Sequence, residues 1–408
     1  MNPCAAAAEW EPRYADRAEK MRASEIRELL KLLDLPGIIS FAGGIPDPAL
    51  FPIAEAKAAY GEVLGEAAQS RAALQYSVSE GYLPLRQWIV RHMGRLGVPC
   101  DEDNIVITCG SQQGLEFLGR LLLSPGDTAL VTAPTYLGAL QAFSAYEPRY
   151  DELRPEHGNR TPASYADAAA AAGGRVKFAY VVPDFANPTG ETMSRPARER
   201  LLDLAAELDI PIIEDTAYAA LRFEGEPIAA IQALDIARCG SLDAARTIYC
   251  GTFSKTMSPG LRIGWIVAGK PLIRRLVLIK QASDLNSANV NQMVMHKLVE
   301  TTYERQVTAA RGHYRRRRDA MLAALAEYMP AGVTWAEPQG GLFVWARLPE
   351  GCDAAALLER AVKEARVAFV PGGAFFFDGR GRNTMRLSYS LPDEATIREG
   401  IRRLASLI

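Results

Sequence analysis

The sequence predicts an α/β fold: a large domain with a doubly wound, mostly parallel sheet, joined to a smaller α/β second domain. Three observations carry this expectation. Short apolar, β-rich runs alternate with helix-period stretches between Ile105 and Leu208, the pattern of repeated strand and helix units whose sheet is covered on both faces. Polar residues cluster just beyond the apolar runs, where an open parallel sheet presents its ligands. The chain has 408 residues, too many for one small core and enough for a large domain plus a smaller one. The texture changes after Tyr328-Met329-Pro330. The expected division is 1–48 for an amino-terminal arm and helix packing with the small domain, 49–290 for the large domain and 291–408 for the small carboxyl-terminal domain.

Residues 1–20 are rich in Ala and charge and show no strong period, so they read as a loosely held arm. Ser24 stands as an N-cap before Ile26, Leu29, Leu30 and Leu33 at helical spacing, and Pro36-Gly37 stops that helix. Phe41 to Pro48 is turn chemistry. Its Gly43-Gly44 pair is either a linker or a place where bare backbone approaches a ligand. Helices are expected over 60–71 and 83–96, with Leu74-Gln75-Tyr76-Ser77 opening the loop between them.

Ile105 to Cys109 reads as a strand that runs into Gly110-Ser111-Gln112-Gln113-Gly114 and a helix to Leu123. A glycine-flanked turn opening a helix leaves unpaired N–H groups at a positive dipole end, a ready anion site, although many such turns bind nothing. Thr128 to Ala133 is the next strand and Tyr136 lies just past it. Alone, Tyr136 would be a packing residue. Helices over 137–145 and 195–208 alternate with strands at Phe178 to Val182 and Pro211 to Glu214, which end in Asn187 and in Asp215 with Tyr218.

The stretch Thr247 to Trp265 reads as an apolar strand, a polar turn holding Lys255, and a second apolar strand that continues to Ala268. Helical segments follow over 271–282 and 290–321, the latter as one long helix or two. The block Arg315-Arg316-Arg317-Arg318 reads as a solvated helix face and not as a nucleic-acid contact, because the rest of the chain has no basic excess. Beyond Pro330, strands at 342–345, 369–370 and 385–389 surround a helix over 354–365, and a helix over 394–406 closes the chain.

A net charge of -2 and a pI near 6.2 give no electrostatic argument for nucleic acid or an anionic membrane. Cys4, Cys100, Cys109, Cys239, Cys250 and Cys352 form no CxxC pair, which argues against a zinc site and a disulfide framework. No secretory signal or uninterrupted apolar span is present. A cytoplasmic, metal-free protein acting on small molecules is expected.

A lysine in such a turn is commonly just a solvated loop residue. A buried one beside hydroxyls and an arginine suits Schiff-base chemistry, because desolvation or a second cation lowers its pKa. Thr252, Ser254 and Arg262 offer what a phosphate needs. Asn187, Asp215, Tyr218 and Lys255 all follow predicted strands and are placed to face one crevice. Singly, Asp215 is as easily a helix cap and Tyr218 a core residue.

Asn187-Pro188-Thr189-Gly190, Asp215-x-x-Tyr218, Ser254-Lys255 and Arg262, in this order, resemble the class I/II aminotransferases of the fold type I pyridoxal-phosphate enzymes. The resemblance covers nearly the whole chain. Phe41-Ala42-Gly43-Gly44-Ile45-Pro46, Leu74-Gln75-Tyr76-Ser77 and Val182-Pro183-Asp184-Phe185 are most similar to the 2-aminoadipate and kynurenine aminotransferase branch.

The resemblance implies a pyridoxal 5'-phosphate cofactor held in the large domain, and amino transfer from an L-amino acid to a 2-oxo acid by ping-pong chemistry. It implies Lys255 as the Schiff-base lysine and proton carrier, Asp215 against the pyridine nitrogen, and Tyr218 with Asn187 on the cofactor's 3′ oxygen. Ser111, Gln112, Thr252, Ser254 and Arg262 would hold the phosphate, Tyr136 would stack on the ring, and Tyr76 would reach the phosphate from the neighbouring subunit of a homodimer. Arg386, helped by Asn187, would grip the substrate α-carboxylate, with Gly43 and Gly44 bordering the substrate. The branch holds a distal carboxylate through an amino-terminal basic residue, and neither Lys20 nor Arg22 matches it cleanly. The same scaffold also serves β-lyases, decarboxylases and racemases, and non-catalytic effector domains of regulators.

Overall fold

A computed structural model of the chain describes residues 10–19 and 37–408. The large-domain strands follow β1 (Ile39–Ser40) as β2 (Ile105–Thr108), β3 (Thr128–Thr132), β4 (Arg149–Leu153), β5 (Val176–Val181), β6 (Ile212–Asp215), β7 (Thr247–Thr252) and β8 (Gly264–Val267). They form a seven-stranded sheet in the order β2-β8-β7-β6-β5-β3-β4. Strand β8 runs antiparallel to both its neighbours, and the other pairings are parallel.

The sheet is covered on both faces, and the side-chain alternation shows how. Phe178 and Tyr180 of β5 pack with Ile213 and Ile248 beneath the helices Ser111–Leu122, Leu137–Ser144 and Lys270–Ser283. Ala179 and Val181, the intervening residues, join Ile212 beneath the helix Arg195–Leu208. Every residue of β2, β6, β7 and β8 is buried, which is why these segments read as continuous apolar runs without a polar face. Among the described residues, strand β4 pairs only with β3. Its charges at Arg149, Asp151 and Glu152 suit an edge strand.

The second sheet comprises β9 (Thr334–Trp335), β10 (Phe343–Arg347), β12 (Val370–Pro371) and β13 (Thr384–Ser388), ordered β12-β13-β10-β9 and antiparallel, with β11 (Val367–Ala368) beside it in sequence. Ile39 and Ser40 of β1 pair in parallel with Val367 and Ala368 of β11, so the segment ahead of the Gly43-Gly44 turn is tied to the small domain's elements. One unbroken helix of 40 residues, Asn289–Tyr328, connects the two sheets. Its Met293, Leu298 and Val307 enter the core shared with Ile107 and Trp265, whereas Ala310, Tyr314, Met321 and Leu325 enter the core shared with Phe343 and Leu387. The expected helix from Ser24 to Leu33, with Lys20 and Arg22, lies outside the described residues.

The arginine block corrects an expectation. Arg315 and Arg316 are exposed, but Arg317 and Arg318 are buried, at 7% and 5% exposure. Arg317 pairs with Asp47 Oδ2 at 2.7 Å, and Arg318 with Glu224 Oε1 at 2.6 Å and the Pro338 carbonyl at 2.7 Å. Because the helix crosses between two cores it has no continuous solvated face at this point, and a buried guanidinium persists there only with its donors satisfied.

Candidate active site

The carboxyl ends of β5, β6 and β7, together with the turns after β2 and β3, surround a cavity of ≈150 Å³. Its walls hold Ser111 and Gln112, Tyr136, Asp215 with Tyr218, and Thr252, Ser254, Lys255 and Arg262. A larger cavity of ≈720 Å³ lies across a shared wall of Ala217 and Thr252. Lys255, Asp215 and Arg262 line the smaller one and not the larger. The reactive groups therefore mark the smaller cavity as the site.

One end of the cavity is built for an anion. The helix Ser111–Leu122 starts after Gly110 at φ 77, with no side-chain cap. Its first N–H groups are left for a ligand. A Cβ at Gly110 would come within 2.3 Å of Arg262 Nη2, so glycine is needed both for the backbone angle and for the guanidinium beside it. Arg262 donates from Nη1 to the Pro259 carbonyl (3.1 Å) and from Nη2 to the Cys109 carbonyl (3.2 Å). Thr252 Oγ1 donates to Ser254 Oγ at 2.9 Å, which arrays two hydroxyls on the same side. Gln112 is held by Gly138 through Nε2 (2.6 Å), and the Tyr136 hydroxyl donates to its Oε1 at 3.4 Å.

At the other end are an acid and an amine. Asp215 is 2% exposed; its Oδ2 accepts a hydrogen bond of 3.0 Å from Tyr180, and its Oδ1 has no partner. Burial pushes its carboxyl up to about 6, against the Tyr180 and Ala217 hydrogen bonds and the Lys255 charge. Lys255 Nζ donates to the Gly44 carbonyl at 3.1 Å and stands 5.8 Å from the Tyr218 ring centre. Burial, then the positive charges of Arg386 and Arg262, lower its amine to about 8. A substantial neutral fraction near pH 7–8 follows, as a nucleophilic amine requires.

Arg386 comes up from β13 and is 2% exposed. Its guanidinium lies between the Phe343 and Phe375 rings, 4.3 and 5.1 Å from their centres. Nη1 donates to Asn187 Oδ1 and Nη2 to the Ala42 carbonyl, both at 2.7 Å, while Nε has no partner. The Asn187 side chain also lies near the Tyr218 hydroxyl and favours its ionised form. Neither Arg386 nor Asn187 lines the cavity wall, but both adjoin it through Tyr218 and the Arg386 charge on Lys255. Gly43 is held by Ser390, whose Oγ donates to its carbonyl at 3.3 Å. Thus Ala42, Gly43 and Gly44 each present a carbonyl to a different side chain.

Tyr76 is the residue not brought to this cavity: it is 79% exposed on the loop after the helix Ala67–Leu74. Conversely, Tyr180, Phe343, Phe375 and Ser390 belong to the site's surroundings without having been singled out from sequence. Tyr180 sits inside an apolar strand, where nothing distinguishes it from core. Among the described residues no His, Cys, Asp and Glu cluster could hold a metal ion, and no helix is long and apolar enough to cross a membrane.

The model of the family described as aminotransferase class I and II matches residues 37–404. Aromatic-amino-acid aminotransferase 1 of Thermococcus litoralis is 43% identical over 98% of this chain and 95% of its own length. The 2-aminoadipate transaminase of Thermus thermophilus is 41% identical over 97% and 96%. The crystal structure of Pyrococcus horikoshii kynurenine aminotransferase, in complex with PMP, is 43% identical with a TM-score of 0.89 over 98% of this chain and 97% of that one. With its matching motifs drawn together around one lysine, the chain belongs to the class I and II aminotransferases, pyridoxal-phosphate-dependent transaminases of fold type I.

Proposed function

We propose that this aminotransferase moves the amino group of an aromatic, aliphatic or 2-aminoadipate-type L-amino acid to a 2-oxo acid such as 2-oxoglutarate, in two half-reactions at the ≈150 Å³ cavity. The observation that carries the reading is the pairing, in one cavity, of a depressed Lys255 amine with a buried Asp215 oxygen that has no partner. That orphan acceptor, the uncapped helix end and the hydroxyl and guanidinium array fit pyridoxal phosphate. When bound, the cofactor supplies an electron sink for charge developing at the substrate Cα.

Each side chain then has one task. Ser111, Gln112, Thr252, Ser254 and Arg262 bind the phosphate, the first two from the helix end where the dipole favours an anion. Asp215 Oδ1 would accept a hydrogen bond from the protonated ring nitrogen, and the ionised carboxylate would keep that nitrogen charged. Tyr218 and Asn187 hydrogen-bond the 3′ oxygen, and Tyr136 supplies an aromatic face for the ring. Lys255 would anchor the cofactor, and its free amine would carry the proton at the substrate Cα. The Gly44 carbonyl holds its amine in place meanwhile. Arg386, with Asn187, takes the α-carboxylate in a two-pronged bond, and Gly43 and Gly44 border the side chain.

Steady-state assays with L-glutamate, 2-aminoadipate, kynurenine, phenylalanine and leucine, each with 2-oxoglutarate or another 2-oxo acid, test this reading. At least one donor is expected to give its own 2-oxo acid together with the acceptor's amino acid. Release of ammonia or carbon dioxide with no amino exchange would overturn it. Gly110→Ala is expected to weaken cofactor binding about 10- to 100-fold, the equivalent of the 1–3 kcal/mol that a strained backbone costs. Titration of the apoenzyme measures it, and an unchanged affinity would remove the uncapped turn from the phosphate site.

The exposed Tyr76 supports a homodimer in which each chain completes its partner's phosphate site. A Lys255→Ala chain combined with a Tyr76→Ala chain should regain activity at one site per heterodimer, the site on the Tyr76→Ala chain, which keeps its own Lys255 and Arg262 and receives an intact Tyr76 from the other chain. Confirmed heterodimers without recovery would refute the sharing. A cytoplasmic location is consistent with the five described cysteines all being unpaired; recovery of the protein outside the cytosolic fraction of its cells would contradict it.

A further inference from the structure

We propose that Tyr180 is a positioning residue for the reaction: its hydroxyl holds the Asp215 carboxylate ionised, with one oxygen turned into the cavity, and so sets the acid limit of activity. The inference rests on the reading of Asp215 as the partner of the cofactor's ring nitrogen.

The sheet register creates the contact. Tyr180 pairs with Ile213 across β5 and β6, and Asp215 lies two residues beyond Ile213, hence on the same face. Tyr180 spans the one-pleat offset, and its hydroxyl meets Asp215 Oδ2 at 3.0 Å with Tyr180 at 0% and Asp215 at 2% exposure. Among the described residues this is the side-chain hydrogen bond that Asp215 accepts, and the nearby Ala217 N–H also favours the ionised form. Oδ2 is thereby committed, and Oδ1 is left without a partner on a residue that lines the cavity. Burial and the Asp215 charge push ionisation of the phenol well above its ordinary range. Tyr180 is therefore a donor throughout the working pH range.

The other titratable groups around Asp215 come from every neighbouring element. Cys250 faces it from β7, Tyr218 from the turn after β6, and Lys255 from the loop after β7. None of the three is hydrogen-bonded to the carboxylate through its side chain. Glu214 points to the opposite face of the sheet, where it accepts from the Ile231 and Gln232 N–H groups at 2.7 and 2.9 Å. Among the described residues, the side-chain donor to Asp215 that a substitution can remove without emptying the core is thus the Tyr180 hydroxyl. Phe at this position keeps the ring that packs edge-on against Phe143.

The sign follows from the burial of the carboxyl. Its protonation is already favoured by burial, and the Tyr180 bond opposes this. Losing the bond moves protonation to higher pH, and the ionised form that the ring nitrogen needs is then lost earlier as pH falls. In Tyr180→Phe apoenzyme, infrared or carboxyl-labelled NMR titration should place the Asp215 midpoint about one pH unit higher than in wild type, with Asp215→Asn identifying the signal. The acid limb of kcat/KM should move by the same amount while the rate on the alkaline plateau changes little. An unmoved midpoint, or an equal loss at every pH, would overturn the proposal. If the Phe variant does not fold, 3-fluorotyrosine at position 180, a stronger donor, should move the midpoint down, and no movement would equally overturn it. Should Asp215→Asn turn over at the wild-type rate, the ring-nitrogen reading fails separately, whatever Tyr180 does to the titration.

Discussion

Lys255→Ala is expected to lower turnover by about 10⁴-fold or more, because one substitution removes both the covalent anchor and the proton carrier. The two losses are distinguishable. The groups proposed to hold the phosphate, around Ser111, Thr252 and Arg262, do not include the amine, so the variant should still bind pyridoxal phosphate, without the visible band of a lysine-linked cofactor. Added small amines should restore part of the proton transfer but not the band. The surroundings explain why alternatives would not substitute: burial, with Arg386 and Arg262, brings the Lys255 amine down to about 8, and the described cavity wall holds no second lysine. Retention of a tenth of wild-type activity would show that another group carries the proton.

Arg386→Ala is expected to reduce kcat/KM by roughly 2 to 5 kcal/mol, the usual consequence of truncating one member of a buried, hydrogen-bonded charge pair. The loss should be nearly equal for glutamate, 2-aminoadipate, leucine and phenylalanine, since the α-carboxylate is common to all. The structure strengthens the expectation. Burial lowers the guanidinium to about 10, two aromatic rings enclose it, and Asn187 and the Ala42 carbonyl take two of its donors and leave Nε unpaired. A buried cation with a donor to spare fits the α-carboxylate proposed for it. Lys should rescue poorly, because it has no planar fork to match a carboxylate. A variant selective for one donor would place Arg386 against the side chain instead.

The elements that position the cavity were legible because strand-end chemistry is local. Asn187, Asp215 and Lys255 each follow an apolar run that reads as a buried strand, and the parallel pairing of β5, β6 and β7 brings those ends side by side. What depends on register across strands was not legible. Tyr180 reads as core because nothing in its own strand reveals that Asp215, on the next one, stands within hydrogen-bond distance. Arg317 and Arg318 read as solvated because their partners Asp47 and Glu224 lie far away in sequence. Strand β4 escaped for a third reason: an edge position tolerates charges that erase the period by which strands are recognised. Lys20 and Arg22, the basic residues weighed for a distal carboxylate, lie outside the described residues.

The central claim is that one cavity performs amino-group transfer in two separable halves, with the protein carrying the group between them. The most direct measurement is a single half-reaction: the cofactor-loaded protein mixed with excess L-glutamate, 2-aminoadipate or kynurenine, with no 2-oxo acid present, and the product counted against protein. The prediction is one equivalent of 2-oxo acid per chain, after which formation stops until an acceptor is added. Continuous product formation without acceptor, or none from any of these amino acids, would contradict the account.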